Sequence, residues 1–182
     1  MIAIKIAVHT GSSSENMKCG TEQKTIEKGK RVEEIITTSG DEITIFDLME
    51  SEEIGKIAEF FDLVRYPAGT VVLKEGEPIS CLGIIASGEL KLERQGKFAG
   101  KWIPLAILSK GAHIGDYSML PGRESLGQLK AVVDTEVLAI SHSNLDTFVQ
   151  ENPSIGIKIL KGISAVLSIR LKHAIDKIVV LS

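Results

Sequence analysis

The sequence predicts a mainly β domain, an antiparallel β-roll (jelly roll) with an N-terminal helical segment and a long C-terminal helix. Between residues 70 and 140, apolar and β-branched residues recur with a period of two in short runs, and glycines separate these runs. Before and after this region the apolar period becomes helical. We therefore divide the chain into an N-terminal extension (1–42), the roll (43–152) and a C-terminal hinge or dimerisation helix (153–182).

Composition narrows the possible partners and the compartment. The net charge of −3 produces no field that would attract nucleic acid or anionic lipid, and one Trp and two Tyr make a base-stacking surface improbable. No apolar run reaches the roughly 18 residues of a membrane span, and the apolar opening is too short for a signal peptide and contains Lys5. Cys19 and Cys81 are far apart, which favours reduced thiols and a cytoplasmic location.

The N-terminal extension is weakly patterned. Residues 1–9 alternate as a strand would, and residues 11–20 are small and polar, which is typical of a loop or tether. Residues 21–40 are compatible with two structures, a hairpin turning at 28–30 or a short helix over 26–36. The sequence does not choose between them.

The roll is preceded by a helix and contains at least six strands. Residues 43–61 have helical periodicity, and Ser51 followed by Glu52 and Glu53 predicts a helix start with acids in the first turn. We interpret the glycines between the strands as turn residues that need positive φ. The predicted strands are Thr70–Leu73, Leu82–Ile85, Glu89–Glu93, Trp102–Leu108, Leu129–Val133 and Glu136–Ile140.

The chain ends in two predicted helices. Ser143 to Asp146 can form a capping box for a short helix that ends at Gln150. The final helix is predicted over residues 155–181, with its continuous part after Gly162, because Gly156 and Gly162 weaken the first turns.

The final helix has a coiled-coil seam, which comprises Leu160, Ser164, Leu167, Leu171, Ala174, Ile178 and Leu181. Ile159, Ile163 and Val166 widen this apolar face toward the roll. Such a helix either folds back on its own roll or pairs with a second copy, and the seam favours pairing. The basic residues of this helix are interpreted as a solvated face; they are Lys158, Lys161, Arg170, Lys172 and Lys177.

The segment from Leu108 to Ala131 is the candidate ligand site. A turn at Gly111 leads into Ile114-Gly115-Asp116, then into a short insert that is predicted to be helical and a polar loop that contains Arg123. The first turn of such an insert exposes backbone N–H groups, which can bind an anion.

These motifs together resemble the cyclic nucleotide-binding domain family, over about residues 45–174. The resemblance rests on Tyr66-Pro-Ala-Gly69, Glu75-Gly76-Glu77-Pro78, the stretch from Leu82 to Leu90, and Gly111-x-x-Ile114-Gly115-Asp116. It implies an N-terminal helical segment, an eight-stranded roll that contains a phosphate-binding cassette, and a C-terminal hinge helix. Family members of this kind are regulatory and bind cyclic nucleotides.

The cassette departs from the family pattern at two positions. Asp116 stands where the resemblance places a ribose-binding glutamate, and Ser125 stands where it places the phosphate-binding arginine. Losing a charge-assisted hydrogen bond of this kind costs about 1.5–3 kcal/mol, or roughly a ten- to few-hundred-fold loss of affinity. A helix-capping role for Asp116 is an equally open interpretation.

We therefore predict a regulatory small-molecule sensor that binds cyclic AMP or cyclic GMP weakly, or another small anionic ligand; no other cofactor and no metal is expected. The alternative is a ligand-free interaction scaffold that uses the C-terminal helix. The candidate ligand-binding residues are Ile114, Gly115, Asp116, Tyr117, Ser118, Arg123, Ser125 and Leu126.

Catalysis and direct DNA binding are not expected. The chain has no G-x-S-x-G, P-loop or H-E-x-x-H motif, and adjacent residues in Ser141-His142-Ser143 would point to opposite faces of a strand. His113 is interpreted as a partly exposed turn residue. Only Ser182 follows the final helix, so we expect no helix-turn-helix module, no membrane contact, and signalling through a homodimer or an unidentified protein partner.

Overall fold

The computed structural model describes residues 32–36, 45–96, 101–116 and 124–180, and its architecture confirms the β-roll. The strands are β1 (Asp62–Tyr66), β2 (Val71–Leu73), β3 (Cys81–Ser87), β4 (Leu90–Gln95), β5 (Trp102–Leu108), β6 (His113–Ile114), β7 (Gln128–Ala131) and β8 (Thr135–Ser141). They form two four-stranded antiparallel sheets with the strand orders β1-β8-β3-β6 and β2-β7-β4-β5.

The first sheet is buried on both faces, which explains its nearly continuous apolar strands. Along β3, Leu82 and Ile84 join an apolar cluster with the helices, whereas Cys81 and Ile85 join a second cluster between the two sheets. Strand β8 divides in the same way and pairs with both β1 and β3. The alternation of side chains along a strand thus places the sheet in the middle of the molecule.

The six predicted strands are confirmed within two residues at each end, and two further strands are present. β1 follows the helical region with no preceding glycine turn, and its residues are mostly half-buried, so it carries no strand signal in the sequence. β6 has only two residues, too few for a periodic pattern. Positive φ is confirmed at Gly69, Gly76, Gly88 and Gly111, but Gly96 is not among the positive-φ glycines.

The N-terminal helical region is shorter than predicted. Helix α1 (Ser51–Ala58) begins after Glu50, whose backbone N–H is bonded by Glu53 in a capping box, and residues 45–48 form a turn. The helical prediction for residues 43–50 is therefore wrong for the described part. Residues 32–36 are helical, and Val32 and Ile36 are buried in the helix-side cluster of the core.

The next helix, α2 (His142–Glu151), starts earlier than predicted. Its N-cap is Ser141, whose hydroxyl accepts a hydrogen bond from the backbone N–H of Asn144 at 3.1 Å. The predicted capping box from Ser143 to Asp146 is therefore wrong; β8 ends at Ser141 and the helix begins at His142.

Helix α3 (Pro153–Val180) is a continuous helix of 28 residues, so the prediction that its continuous part begins after Gly162 is wrong. The two glycines serve packing instead. A Cβ on Gly156 would lie 2.7 Å from Val149, and one on Gly162 would lie 2.8 Å from Cα of Ile45. Only a glycine lets α3 approach these neighbours, and the packing offsets its low helix propensity.

The predicted contact of α3 with the roll is confirmed, and the seam residues lie on a separate, exposed face in the described residues. Ile159 and Ile163 are buried against the roll, and Val166 is partly buried there. The seam residues from Leu160 to Ile178 are exposed, with Leu171 at 63% and Ile178 at 66%. Leu181 and the side chain of Lys177 lie outside the described part.

Cys81 is fully buried and disulfide-bonded, so the prediction of reduced thiols is wrong for this residue. Cys19 lies outside the described residues, as do the predicted strand at 1–9, the tether at 11–20 and the possible turn at 28–30. Among the described helices, none has both the length and the apolar character needed to cross a membrane.

Candidate ligand-binding site

The first half of the candidate site lies at the end of β6. Ile114 is buried and pairs with Gly83 of β3, which fixes the position of the two residues that follow. Gly115 has φ +82°, and a Cβ there would overlap the carbonyl oxygen of Cys81. Both the left-handed backbone and the close contact require glycine, so the sharp turn that presents Asp116 depends on Gly115.

The carboxylate of Asp116 is bound by an arginine from the C-terminal helix. Arg170 donates from Nη1 to Oδ2 of Asp116 at 2.6 Å and from Nη2 to the carbonyl oxygen of His113 at 2.5 Å. Nε2 of His113 lies 3.2 Å from the same Oδ2 but is not aligned for a hydrogen bond. One guanidinium therefore joins α3 to both ends of the β6 turn.

Two interpretations from the sequence are corrected by these contacts. His113 is 2% exposed and belongs to the interior, so its interpretation as a partly exposed turn residue is wrong. The solvated-face interpretation of the basic residues is wrong for Arg170, and also for Lys158, whose Nζ is 2.7 Å from Oε2 of Glu53 in α1. Lys161 and Lys172 are exposed as predicted.

The second half of the candidate site lies between the bridge at Glu124 and β7. Ser125 is buried, and its hydroxyl donates to the carbonyl oxygen of Gly127 at 2.5 Å. Its backbone bonds both Gly76 and Glu77 across the neighbouring turn. The hydroxyl hydrogen of Ser125 is thus used within its own loop, and Ser125 is held by the frame of the roll.

The remaining candidate residues are not brought together by any described contact. Leu126 is 53% exposed beside Ser125. Tyr117, Ser118 and Arg123 lie outside the described residues. The described contacts join Asp116 to α3 and Ser125 to the turn at residues 74–77, and no described contact joins these two halves.

Helix α3 is held to the rest of the chain by charge at two points 12 residues apart. At the first, hydrogen bonds from Lys158 hold the pKa of the Glu53 carboxyl below its ordinary value. At the second, Arg170 binds Asp116. Sequence reasoning missed both pairs, because 105 residues separate Lys158 from Glu53 and 54 separate Arg170 from Asp116.

The two antiparallel sheets with this strand order, and the C-terminal helix whose Arg170 binds the turn after β6, define a β-roll of the catabolite activator type. The sequence profile described as "Cyclic nucleotide-binding domain" matches residues 63–152. The chain therefore carries a domain of the cyclic nucleotide-binding domain family, which confirms the resemblance seen in the sequence.

Similar proteins include regulators that contain this domain. The chain is 28% identical over 130 residues to the cyclic AMP receptor protein of Thermus thermophilus, which covers 71% of this chain and 58% of the receptor. It is 25% identical to the cAMP-dependent protein kinase regulatory subunit of Aspergillus niger, over 53% of this chain and 23% of that protein. The chain thus spans little more than half of the receptor and under a quarter of the kinase subunit.

A solved structure supports the fold. The cyclic nucleotide-binding domain from Methylobacillus flagellatus has a TM-score of 0.72 with this chain, at 22% identity, and the match covers 86% of this chain and 85% of that one. At this identity the likeness concerns the fold.

Proposed function

We propose that the protein is a regulatory sensor in which a small anionic ligand binds at the β6–β7 segment and alters the packing of α3. The observation that supports this most directly is the Arg170–Asp116 ion pair, because Asp116 is the candidate ligand residue and Arg170 belongs to the output helix. A ligand hydroxyl that bonds Asp116 would compete with or reinforce this pair. The ligand would thereby shift the population of α3 packings by its differential affinity for them.

We further propose that the affinity for cyclic AMP and cyclic GMP is low. The position of the family's phosphate-binding arginine is Ser125, whose hydroxyl hydrogen is already donated to Gly127. A buried phosphate without a guanidinium loses about 1.5–3 kcal/mol, so the dissociation constant rises roughly ten- to few-hundred-fold. A ligand other than these two nucleotides is compatible with the same site.

A homodimer formed through α3 is the proposed output state. Residues 171–176, 178 and 179 are exposed around the whole circumference of the helix. An isolated helical end of this length is marginal in water, so a packing partner for it is expected. The C-terminal half of the predicted seam, from Leu171 to Ile178, lies on this exposed part, and the seam favours a second copy as partner.

The rival function is a ligand-free scaffold, in which the roll supports α3 as an interaction surface for an unidentified protein. The engagement of Asp116 by the chain's own Arg170 is what favours this rival, because it satisfies the carboxylate without a ligand. In either case the role is regulatory rather than catalytic, with no direct DNA or membrane contact. The cytoplasmic location stays a prediction.

A thermal-shift screen separates the two functions. Cyclic AMP, cyclic GMP and inorganic phosphate are each added to the full chain from micromolar to 10 mM. A sensor with a weak pocket is stabilised only in the millimolar range, because the gain in stability grows as RT ln(1 + [L]/Kd). No shift with either nucleotide at 10 mM supports the scaffold, and a shift at micromolar concentration contradicts the weak-pocket proposal.

A further inference from the structure

Cys81 connects the interior of the roll to a second cysteine through a disulfide bond. It is the first residue of β3, its exposed fraction is 0%, and its sulfur is disulfide-bonded. Cys19 is the only other cysteine in the sequence. Because Cys81 is enclosed by its own chain, a sulfur from a second copy could not reach it without opening the fold. The bond is therefore expected to lie within one chain and to link the N-terminal extension to β3.

A disulfide of this kind can open without dismantling the core. The buried residues of both apolar clusters lie between Val32 and Ile163, and the family profile matches residues 63–152. Cys19 precedes all of these residues in the sequence. A bond between two core strands would act as a permanent staple, whereas a bond between the core and an extension can break while the roll stays folded. Its position therefore suits a site of reversible thiol–disulfide modification.

Cys81 is also in direct contact with the turn that presents Asp116. Its carbonyl oxygen occupies the space that a Cβ on Gly115 would need, so the two residues pack backbone against backbone. On its other side, Cys81 pairs with Ser141, the N-cap residue of α2. The disulfide-bonded residue thus lies between the turn after β6 and the start of α2.

The packing beside the sulfur is tight. Cys81 belongs to the apolar cluster between the two sheets, which also contains Ile114. Gly83 is two residues further along β3 and faces the same side, and a Cβ there would lie 2.8 Å from Cγ1 of Ile114. Two thiols occupy more volume than the disulfide that they form, and a close-packed interior transmits such a change. Reduction must therefore either expel the partner sulfur or displace Ile114 and the turn that follows it.

A displacement of Ile114 would alter the attachment of α3. Ile114 lies between the two acceptors of Arg170, which are the carbonyl oxygen of His113 and the carboxylate of Asp116. The guanidinium is a rigid fork, so its two hydrogen bonds depend on the relative position of these acceptors. A shift of Ile114 changes that relative position and weakens at least one of the two bonds.

We propose that Cys19 and Cys81 form a redox-controlled modification site, at which reduction detaches the N-terminal extension and loosens the turn after β6. A dithiol reductant supplies the two electrons. One of its thiolates attacks the sulfur of Cys19, because that of Cys81 is buried; the protein S–S bond breaks and Cys81 leaves as a thiolate. The second thiolate of the reductant then displaces Cys19 from the mixed disulfide. The reductant becomes a cyclic disulfide, and the two protein thiolates take up the protons that it releases.

The bond itself is identified by mass spectrometry of the full chain. After oxidation with glutathione disulfide, a digest is expected to contain one linked pair of peptides that carry Cys19 and Cys81, and reduction adds two hydrogens to the intact mass. Oxidising a mixture of ¹⁵N-labelled and unlabelled chains shows whether the link joins two copies. Linked peptides that carry both labels, or free thiols that persist in excess glutathione disulfide, overturn the proposal.

Hydrogen exchange of the oxidised and reduced full chain tests the effect on the site. Reduction with dithiothreitol is expected to accelerate exchange at residues 113–116 at least fivefold and to leave β1 unchanged, because β8 separates β1 from β3. Cys19→Ser alters no described residue; it is expected to exchange like the reduced wild type and not to respond to dithiothreitol. Ser14→Ala is the matched control, since it changes the same extension without removing a cysteine, and it is expected to keep the full response.

The other outcomes contradict separate parts of the proposal. A bond within one chain whose reduction leaves residues 113–116 unchanged is a static staple and contradicts the control of the turn. Acceleration in β1 as well as in the turn means that the bond holds the whole roll together, which contradicts a separable modification site. A response to dithiothreitol that persists in Cys19→Ser contradicts the assignment of the partner. Since none of these measurements uses a ligand, the redox proposal and the proposed sensor function can fail separately.

Discussion

The connection between Asp116 and α3 is tested most simply by Arg170→Met, which removes the guanidinium and keeps the aliphatic stem. The wild-type residue makes two charge-assisted hydrogen bonds, to Asp116 at 2.6 Å and to the His113 carbonyl at 2.5 Å. Such bonds contribute about 1.5–3 kcal/mol each when shielded from water. The side chain of Arg170 is 36% exposed, so screening reduces the expected total loss to about 1–2 kcal/mol.

The loss is measured by thermal and urea unfolding of the full chain. For a protein of this size, a loss of 1–2 kcal/mol lowers the melting temperature by about 2–8 °C. Lys172→Met is the matched control, since Lys172 is an exposed cation on the same helix, and its change is expected to stay within about 0.5 kcal/mol. The Asp116→Asn variant and the double variant complete a cycle with a coupling energy of about 1 kcal/mol or more.

The reasoning fails if Arg170→Met and Lys172→Met lower the stability equally, or if the cycle shows no coupling. Either result would mean that the ion pair does not hold α3 to the β6 turn. Preserved stability together with a changed ligand affinity would likewise contradict a structural role for the pair.

Three further predictions concern packing and pH. Gly115→Ala is expected to lower the free energy of unfolding by at least about 1 kcal/mol more than Gly111→Ala does, as measured by urea unfolding. Both glycines have positive φ, but of the two only Gly115 lacks space for a Cβ. Equal losses of stability would contradict the steric argument. Gly162→Ala is expected to lower the melting temperature despite the higher helix propensity of alanine, because the added Cβ would meet the backbone of Ile45. A stabilised variant would contradict this and would show that α3 can move away from Ile45. Burial lowers the pKa of His142, so the unfolded state binds the imidazole proton more readily than the folded state, and the free energy of unfolding falls as the pH drops below about 6.5. In His142→Gln, the fall in stability between pH 8 and pH 5 is expected to be smaller than in the wild type. An unchanged pH dependence would contradict the contribution of His142.

The strands that could be predicted from the sequence are those with a local signal. A period of two between glycine turns is enough to locate β3, β4 and β8, because sheet burial and turn geometry act on neighbouring residues. β6 could not be found in this way, since two residues carry no period, and β1 follows the preceding helix with no glycine between them. The local pattern therefore locates the main strands of the roll, but it does not locate β1 or β6.

Helix α3 shows how packing can override local propensity. Gly156 and Gly162 predict a weak first half, yet the helix is continuous, because both glycines allow close contact with α2 and with the turn at Ile45. The exposed seam was predicted correctly, since it depends on the helical period alone. The cost of each glycine depends on neighbours that are distant in sequence.

The candidate site was only partly accessible to sequence reasoning. Asp116 and Ser125 were found because they occupy positions in a recognisable motif, and the structure places both in constrained loops. The partner of Asp116 was missed, since nothing in the sequence marks Arg170 among the other basic residues of α3. One signal could have identified Arg170 as the partner of Asp116. Arg170 lies two turns beyond the last buried position of α3, on the side of the helix that packs against the roll.

Titration calorimetry of the full chain and of Ser125→Arg, each with cyclic AMP and cyclic GMP, tests the central claim most directly. The account predicts weak binding of both nucleotides by the wild-type chain and at least tenfold tighter binding of one of them by the variant, as the phosphate regains a guanidinium. Submicromolar binding by the wild-type chain, with no gain in the variant, would contradict it.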